Sequence, residues 1–285
     1  MSSASERMVT APQTAAPATQ DDPSQPVVVF DDVSIGFEGK QVLENISLTV
    51  SPGETRILLG PAGSGKSVLL KLANGLMRPD SGNITVFGEE IDNMPEEQLF
   101  KLRGRIGMVF QEGALFDSLT VRDNVAYRLM EQKVPEAEVT QRVTEALRFV
   151  ELEQTLDKFP SQLSGGMRRR VAIARAIVNR PDLILYDSPT GGLDPITSTT
   201  IVELVMKQRD VYRTSSLLVT HRLQDAFMLA THTFDREKNH MVPIPDGGLD
   251  SKTNFLVLHD GHIVFDGSTH DLVHSDDPFL KEYLS

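Results

Sequence analysis

The segment GPAGSGKS combines residue types whose chemistry suits the binding of a phosphorylated ligand. Its glycines let the backbone turn tightly and approach phosphate oxygens without a Cβ clash. Consecutive N–H groups at the start of a helix form a pocket for an anion. Lys66 can bridge two phosphate groups, and the hydroxyl of Ser67 can ligate Mg²⁺. The candidate phosphate-binding residues are Gly60, Pro61, Ala62, Gly63, Ser64, Gly65, Lys66 and Ser67.

A glycine-rich turn followed by a surface lysine could have the same sequence. The flanking elements therefore decide between an ordinary turn and a phosphate-binding loop. An apolar run at residues 56–59 predicts a buried strand before the segment, and SVLLKLANGL predicts a helix after it. A second apolar run, LILYD, ends in Asp187. Such strand ends are often only structural, but beside a phosphate-binding segment the carboxylate is expected to hold Mg²⁺, directly or through water.

The elements around these segments follow the order of an α/β domain with a mainly parallel sheet. Further buried strands are predicted at residues 105–111, 183–186 and 216–220. The pattern between residues 118 and 180 is mostly helical. One helix there has an apolar face that repeats every three or four positions, formed by Val139, Val143, Leu147 and Val150.

Two segments depart from this domain pattern. Residues 1–26 lack the apolar core of a signal peptide and are rich in Ser, Ala, Thr, Pro and Gln, which predicts a disordered tail before a folded domain at 27–285. Residues 231–254 are polar and rich in turn-forming residues, which predicts a surface insertion, either a partner contact or a tolerated loop. After it, FLVLHDGHIVFDG predicts a hairpin that turns at Asp260 and Gly261.

Composition and charge limit the classes of function. The 285 residues include 28 Lys and Arg and 40 Asp and Glu, for a net charge of −12, which argues against a general nucleic-acid binder. The sequence has no cysteine, so it can form neither disulfides nor a thiolate metal site. No run of residues approaches the roughly 18 apolar positions of a membrane helix, so work at a membrane would require a partner.

The run LSGGMRRRVAIARAI resembles the signature sequence of ABC ATPases and the arginine-rich helix that follows it. LSGG alone also suits a simple helix cap, but its position between the phosphate-binding segment and LILYD favours the signature. The resemblance implies that Ser164, Gly165 and Gly166 contact the γ-phosphate of ATP held by a second copy of the chain. It also implies an α/β P-loop NTPase fold with a RecA-like parallel-sheet core, an antiparallel β subdomain and an α-helical signature subdomain at about residues 112–180.

Further positions resemble the family's motifs in the same order along the chain. Phe37 is similar to the aromatic residue that stacks on adenine, and Gln111 to the glutamine that senses Mg²⁺ and the attacking water. Asp194, within GGLDP, resembles the D-loop aspartate, and His221 the switch histidine that contacts the γ-phosphate. The resemblance thus implies an ATPase that binds ATP and Mg²⁺. The implied metal-binding residues are Ser67, Gln111 and Asp187.

The sequence departs from the family's pattern after LILYD, where most members have Glu and this chain has Ser188. A hydroxyl with a pKa far above neutrality is a poor general base. Three interpretations stay open: slow hydrolysis with water positioned by other residues, a carboxylate supplied from elsewhere, or ATP binding and dimer closure as the main output. The residues expected at the reaction centre are Lys66, Gln111, Asp187, Ser188 and His221.

The stretches FQEGALFDSLTVRDNVAY and LSGGMRRR resemble the Mla/Mce-type ATPases of bacterial lipid transport. The resemblance implies a peripheral homodimer on the cytoplasmic face of the inner membrane, with multispanning permeases, an MCE-domain lipid-binding protein and, in some systems, a STAS-domain regulator. Ala114, Leu115 and Phe116 lie where a permease would dock, although they equally suit a local core. The alternatives are transport of another solute and a non-transport ABC ATPase in DNA repair or translation.

Overall fold

A computed structural model describes residues 25–285, so residues 1–24 of the predicted tail lie outside the described part of the chain. Within the described residues the strands are β1 (Val28–Phe37), β2 (Lys40–Val50), β3 (Thr55–Leu59), β4 (Ser81–Val86), β5 (Glu89–Glu90), β6 (Ile106–Val109), β7 (Leu183–Asp187), β8 (Ser215–Val219), β9 (His232–Asp235), β10 (His240–Pro243), β11 (Thr253–His259) and β12 (His262–Ser268). The α-helices of the same part are α1 (Lys66–Ala73), α2 (Glu96–Leu102), α3 (Val121–Glu131), α4 (Glu136–Phe149), α5 (Gly165–Ile177), α6 (Pro195–Tyr212), α7 (Leu223–Thr231), α8 (Thr269–Val273) and α9 (Pro278–Leu284).

A six-stranded sheet in the order β12-β11-β3-β8-β7-β6 forms the centre of the domain. Its five strands from β11 to β6 are parallel, and β12 is the antiparallel edge. All five residues of β3 and all five of β8 are buried, as expected for strands that are covered on both faces. Ile57 and Leu59 face one core cluster and Leu58 the other, because successive side chains of a strand alternate.

A second, antiparallel sheet in the order β2-β1-β4-β5 covers one face of the central sheet. Its first hairpin turns at Glu38 and Gly39, which both have positive φ (52° and 78°), as a two-residue type I′ turn requires. The other hairpin, between β11 and β12, turns in the same way at Asp260 and Gly261 (46° and 79°). This second turn lies where the sequence predicts it.

Helices α3, α4 and α5 pack together and against the other face of the central sheet. In α4 the apolar positions Val139, Val143 and Leu147 are buried, as their spacing predicts. No helix within residues 25–285 is long and apolar enough to cross a membrane.

The polar segment 231–254 contains a hairpin, β9 paired with β10, that packs on α6. Polar contacts explain why this segment, which has few apolar residues, forms a hairpin that packs on α6. Glu203 accepts hydrogen bonds from the His240 ring and the Met241 N–H, and Asp210 accepts one from the Phe234 N–H. The side chain of Arg209, 1% exposed, lies between Asp210 and Asp250 and ties the segment to α6. The sequence pattern alone, rich in turn-forming residues, does not reveal these pairings.

Candidate functional site

Four neighbouring parallel strands place several of the predicted site residues at the carboxyl-terminal side of the central sheet. The phosphate loop, residues 60–67, follows β3, and His221 lies two residues after the end of β8. Asp187 is the last residue of β7, and Gln111 comes shortly after β6. Because β3, β8, β7 and β6 are adjacent and parallel, their carboxyl ends lie side by side. The structure therefore brings together residues that are widely separated in the sequence.

The phosphate loop is packed so closely that side chains are excluded at its two ends. Gly60 has φ +142°, and a Cβ there would lie 2.2 Å from the Leu258 carbonyl oxygen. Gly65 has φ +98°, and a Cβ there would lie 2.5 Å from Leu43 Cδ2. Gly63, with φ +80°, has no such neighbour within 4 Å. The loop thus lies against the domain at both ends and is open in its middle.

The ammonium group of Lys66 lies folded over the phosphate loop. Its Nζ donates to the carbonyl oxygens of Gly60 (2.8 Å) and Pro61 (2.7 Å) and to Ser64 Oγ (3.1 Å). Burial lowers the pKa of Lys66, and the nearby negative charge of Asp187 acts in the opposite direction. A phosphate beside this partly desolvated cation would favour its charged form.

The start of α1 offers further groups for an anion and a cation. Gly65 occupies the N-cap position and supplies no side-chain hydrogen bond, so the first N–H groups of α1 have no side-chain cap. Ser67 is exposed in the first turn of α1, and Asp187 lies near Lys66. A hydroxyl, a carboxylate and the amide oxygen of Gln111 are hard oxygen donors of the kind that Mg²⁺ prefers, so these residues fit a metal-bound phosphate.

Ser188 begins a tight turn directly after β7. Its φ is +46°, its N–H donates to the Val219 carbonyl oxygen (2.9 Å), and its own carbonyl oxygen accepts from the Gly191 N–H (2.9 Å). The residue is 7% exposed. A short, buried hydroxyl side chain therefore follows Asp187 directly.

Gln111 lies against the other end of this turn. A Cβ added to Gly191 would lie 3.3 Å from Gln111 Cγ and 3.4 Å from Nε2, so the amide side chain passes directly over Gly191. His221 is exposed beyond the end of β8. The next residue, Arg222, donates to the Leu193 carbonyl oxygen (3.2 Å) and to Ser198 Oγ (2.7 Å), which links this segment to the turn that contains Asp194.

The signature residues lie at the exposed start of α5. Ser164 is the N-cap, and its Oγ accepts from the Met167 N–H (3.2 Å). Ser164 and Gly165 are exposed, and a Cβ added to Gly166 would lie 2.4 Å from Thr197 Cγ2. Among the described residues, no phosphate-loop atom lies within 4 Å of the position that a Cβ would take on Gly165. The signature therefore packs against the start of α6 through Gly166, and its residues Ser164 and Gly165 are exposed.

Asp194 caps α6 by accepting hydrogen bonds from the Thr197 N–H (3.0 Å) and Oγ1 (2.6 Å), and these bonds lower the pKa of its carboxyl group. Phe37 ends β1 and is 42% exposed. The hairpin that carries Phe37 reaches the phosphate loop, because Leu43 of β2 lies against Gly65. Phe37 thus lies next to the turn of a hairpin that contacts the loop.

Two residues in contact with the site were not identified from the sequence. The hydroxyl of Tyr283, on α9, accepts a hydrogen bond from the Gly60 N–H (2.9 Å). Arg169, on α5, donates to the carbonyl oxygens of Phe110 and Gly191. The arginine-rich run after LSGG is a visible signal for the second, but no local pattern connects a distant tyrosine with the phosphate loop.

Comparison with known proteins agrees with this arrangement. The family described as ABC transporter matches residues 43–191. The methionine import ATP-binding protein MetN 2 of Bacillus cereus is 43% identical over 201 residues, which is 69% of this chain and 59% of that protein. The probable ribonucleotide transport ATP-binding protein mkl of Mycobacterium tuberculosis is 36% identical over 250 residues, 87% of this chain and 64% of that protein. The chain thus spans about three fifths of the length of these curated relatives.

Two solved structures have the same fold. The dimeric ATP-binding cassette MJ0796, bound to ADP and phosphate, matches 85% of this chain and 98% of its own with a TM-score of 0.71 and 29% identity. CbiO1 of Clostridium perfringens, part of the transporter complex cbiONQ, matches 91% of this chain and 95% of its own with a TM-score of 0.74 and 27% identity. These likenesses confirm the fold class predicted from the sequence.

Proposed function

Because the chain belongs to the ABC transporter family, we propose that it is the ATP-binding subunit of an ABC transporter and that ATP binding and hydrolysis drive transport through a partner permease. The observation that carries this proposal is the shared edge of the sheet. There the phosphate loop, Gln111, Asp187 and His221 follow four adjacent parallel strands. Such an edge is where ligands bind in open α/β sheets.

In the proposed mechanism two copies of the chain face each other head to tail. The phosphate loop of one copy and residues 164–166 of the other then enclose one ATP. The exposed start of α5 supports this arrangement, because its N–H groups and helix dipole favour an anion. The phosphate loop of the same chain does not lie against Gly165, so this anion would be held by the other copy. The MJ0796 cassette, whose structure is dimeric, has the same fold.

Within one site each residue has a distinct task. The phosphate loop and Lys66 bind and orient the β- and γ-phosphates, and Phe37 supports the adenine. Ser67, Asp187 and Gln111 would hold Mg²⁺, which when bound neutralises developing charge on the phosphate oxygens. Gln111 and His221 orient the attacking water at the edge of the site.

Ser188 is expected to make hydrolysis slow. A buried hydroxyl cannot accept the proton of the attacking water at neutral pH. Positioning and charge stabilisation by the other residues still promote the reaction, since phosphoryl transfer depends mainly on these effects. The proposed output is therefore a slow ATPase in which dimer closure follows ATP binding.

The ATPase rate of the full-length protein tests this proposal. Lys66→Ala is expected to abolish the activity, and Ser188→Glu to raise kcat by up to about 10²-fold because a carboxylate can act as the base. Ser188→Gln is the matched control, with similar size and no charge. If Glu and Gln changed the rate alike, or if neither changed an already fast wild type, the account of Ser188 would be wrong.

For the transported substrate we propose a lipid, with a multispanning permease and an MCE-domain lipid-binding protein as partners and a STAS-domain regulator as a further candidate. The resemblance of residues 110–127 to Mla/Mce-type ATPases supports this proposal. Phe116 is 43% exposed and packs on the exposed Tyr127 (ring centroids 4.7 Å apart), while Leu115 packs against the core. An apolar surface of this kind suits a permease segment. The chain would then lie on the cytoplasmic face of the inner membrane.

A transporter for another solute is the second candidate, because the names of the two relatives refer to methionine import and ribonucleotide transport. Purification of the tagged chain from membranes distinguishes the candidates. Recovery with a permease and an MCE-domain protein supports lipid transport. Recovery with a permease and a solute-binding protein of another type favours the second candidate, and recovery with ribosomes or DNA alone would contradict both.

A further inference from the structure

A glutamate lies at the tip of the turn that carries Gln111. The Gly113 N–H donates to the Phe110 carbonyl oxygen (2.9 Å), so Gln111 and Glu112 are the two central residues of a tight turn that follows β6. Both residues are exposed. The turn therefore presents a carboxylate beside the amide that is proposed to orient water.

The pairing of β6 with β7 places this turn next to Ser188. Val109 and Tyr186 are the last paired residues that the two parallel strands share before the turn, and Gln111 and Ser188 each lie two residues further along. Neighbouring strands are about 4.8 Å apart. The Gln111 side chain already crosses this gap, because its Cγ lies 3.3 Å from the position that a Cβ would take on Gly191. A side chain of the turn thus has only a short distance to span to the space in front of Ser188.

The charge of Glu112 acts on a residue that joins the two turns. Arg169 donates to the carbonyl oxygens of Phe110 (2.8 Å) and Gly191 (3.0 Å). Burial lowers the pKa of Arg169, and the nearby negative charge of Glu112 acts in the opposite direction. The Glu112 carboxylate is therefore close to the turn that begins at Ser188.

The other carboxylates near this turn already have partners or a task. Asp194 accepts hydrogen bonds at both of its oxygens where it caps α6. Asp225 is 5% exposed and accepts a hydrogen bond from Thr190 Oγ1 (2.6 Å). Asp187 is proposed to hold Mg²⁺. Glu112, by contrast, forms no hydrogen bond or ion pair within residues 25–285, so its carboxylate is free to meet a water molecule.

We propose that Glu112 is a catalytic residue that supplies the carboxylate missing at Ser188. It accepts a hydrogen bond from the attacking water and polarises the O–H bond of that water. The water oxygen then bonds to the γ-phosphorus, the bond from this phosphorus to the bridging oxygen breaks, and the water proton is released to the solvent. ADP and inorganic phosphate are the products.

This inference rests on the proposed function, because it concerns the ATP hydrolysis assigned to the site. The place of Glu112 at the tip of an exposed turn also agrees with slow hydrolysis. Such a side chain holds water less firmly than a carboxylate fixed directly after Asp187 would, and poor positioning lowers the rate of a reaction.

A pair of substitutions tests this role. In the full-length protein we expect Glu112→Gln to lower kcat for ATP hydrolysis by about 10²-fold, with the Kd for ATP unchanged. Asp117→Asn is the matched control, since it removes the same charge from an exposed residue of the same loop that has no hydrogen bond or ion pair in the described part of the chain. Its kcat is expected to stay at the wild-type value. In a Ser188→Glu background, Glu112→Gln is expected to leave kcat nearly unchanged, because residue 188 then provides the carboxylate.

The results separate this role from the proposed function. The role of Glu112 is refuted if Glu112→Gln keeps the wild-type kcat, if it lowers kcat equally in the Ser188→Glu background, or if Asp117→Asn loses as much activity. ATP binding, compared with that of Lys66→Ala, tests the proposed function by itself. A wild type that binds ATP but hydrolyses none above Lys66→Ala would overturn the role of Glu112 and leave an ATP-binding subunit. A wild type that binds no ATP would overturn both.

Discussion

The hydrogen bond between Tyr283 and the phosphate loop gives a quantitative prediction. Tyr283→Phe keeps the ring, which packs at the edge of the main core, and removes only the hydroxyl that accepts the Gly60 N–H. Gly60 is buried, so water cannot easily replace the lost acceptor. An unsatisfied buried donor costs about 1–3 kcal/mol. The unsatisfied N–H group belongs to Gly60, whose carbonyl oxygen also accepts a hydrogen bond from Lys66 Nζ.

Thermal unfolding without nucleotide measures this cost. At about 2–4 °C per kcal/mol for a domain of this size, Tm is expected to fall by roughly 2–12 °C. Tyr212→Phe is the control, because Tyr212 is also partly exposed and packs edge-on against Phe149 (5.6 Å between centroids) far from the loop in sequence. Its Tm is expected to stay near that of the wild type.

The affinity for ATP supplies the second measurement. Since the Gly60 peptide group begins the phosphate loop, we expect Tyr283→Phe to weaken ATP binding and Tyr212→Phe to leave it unchanged. Equal Tm values for Tyr283→Phe and wild type would refute the reasoning. A lower Tm with unchanged ATP affinity would show that the bond stabilises the fold without shaping the loop.

Three further predictions follow from packing and charge. Gly60→Ala is expected to prevent folding or to lower Tm sharply, because its Cβ would lie 2.2 Å from the Leu258 carbonyl oxygen. Gly63→Ala is the control, since Gly63 also has positive φ but no atom lies within 4 Å of its Cβ position. It should lower the free energy of unfolding by about 1–2 kcal/mol. Arg209→Met leaves the carboxylates of Asp210 and Asp250 without their buried cation and should lower the free energy of unfolding by about 3–5 kcal/mol in urea titrations, with Arg213→Met, on the α6 C-cap, as the milder control. Burial raises the pKa of Asp92 above its ordinary value of 3.8, so the folded state binds more protons there and this contribution to stability is lost as pH rises through the raised pKa. Asp92→Asn should remove that part of the pH dependence, and an unchanged slope of unfolding free energy against pH would contradict the assignment.

Local sequence patterns were sufficient to predict the structure wherever a strand, a turn and the start of a helix follow one another directly. The phosphate loop is such a case, because its glycines, Lys66 and the flanking apolar runs lie within a short stretch. The sequence also predicted a mainly parallel sheet, but not the order of its strands. β8 lies beside β3 although β6 and β7 come between them in the chain, and this order places the ends of β7 and β8 near the loop.

Contacts between distant segments could not be predicted in this way. Nothing near Tyr283 indicates that its hydroxyl meets Gly60, and the arginine-rich run does not reveal which guanidinium group turns toward Gln111. The hairpin after α7 is a third example, since its order depends on pairing with Glu203 and Asp210 of α6. The roles assigned to Ser188, Gln111 and the signature stay predictions until the variants are measured.

The position of β3 in the sheet has a consequence for the synthesis of the protein. Its neighbours, β8 and β11, and the Tyr283 hydroxyl all come later in the chain, and Tyr283 follows Gly60 by 223 residues. At about 5–20 residues per second, a ribosome needs roughly 10–45 s to make that stretch. Until Tyr283 has been made, β3 and its glycine-rich loop lack at least one of the partners that surround them in the finished domain. A nascent chain is therefore expected to acquire its ability to hold a nucleotide late, after its helical part has already been made.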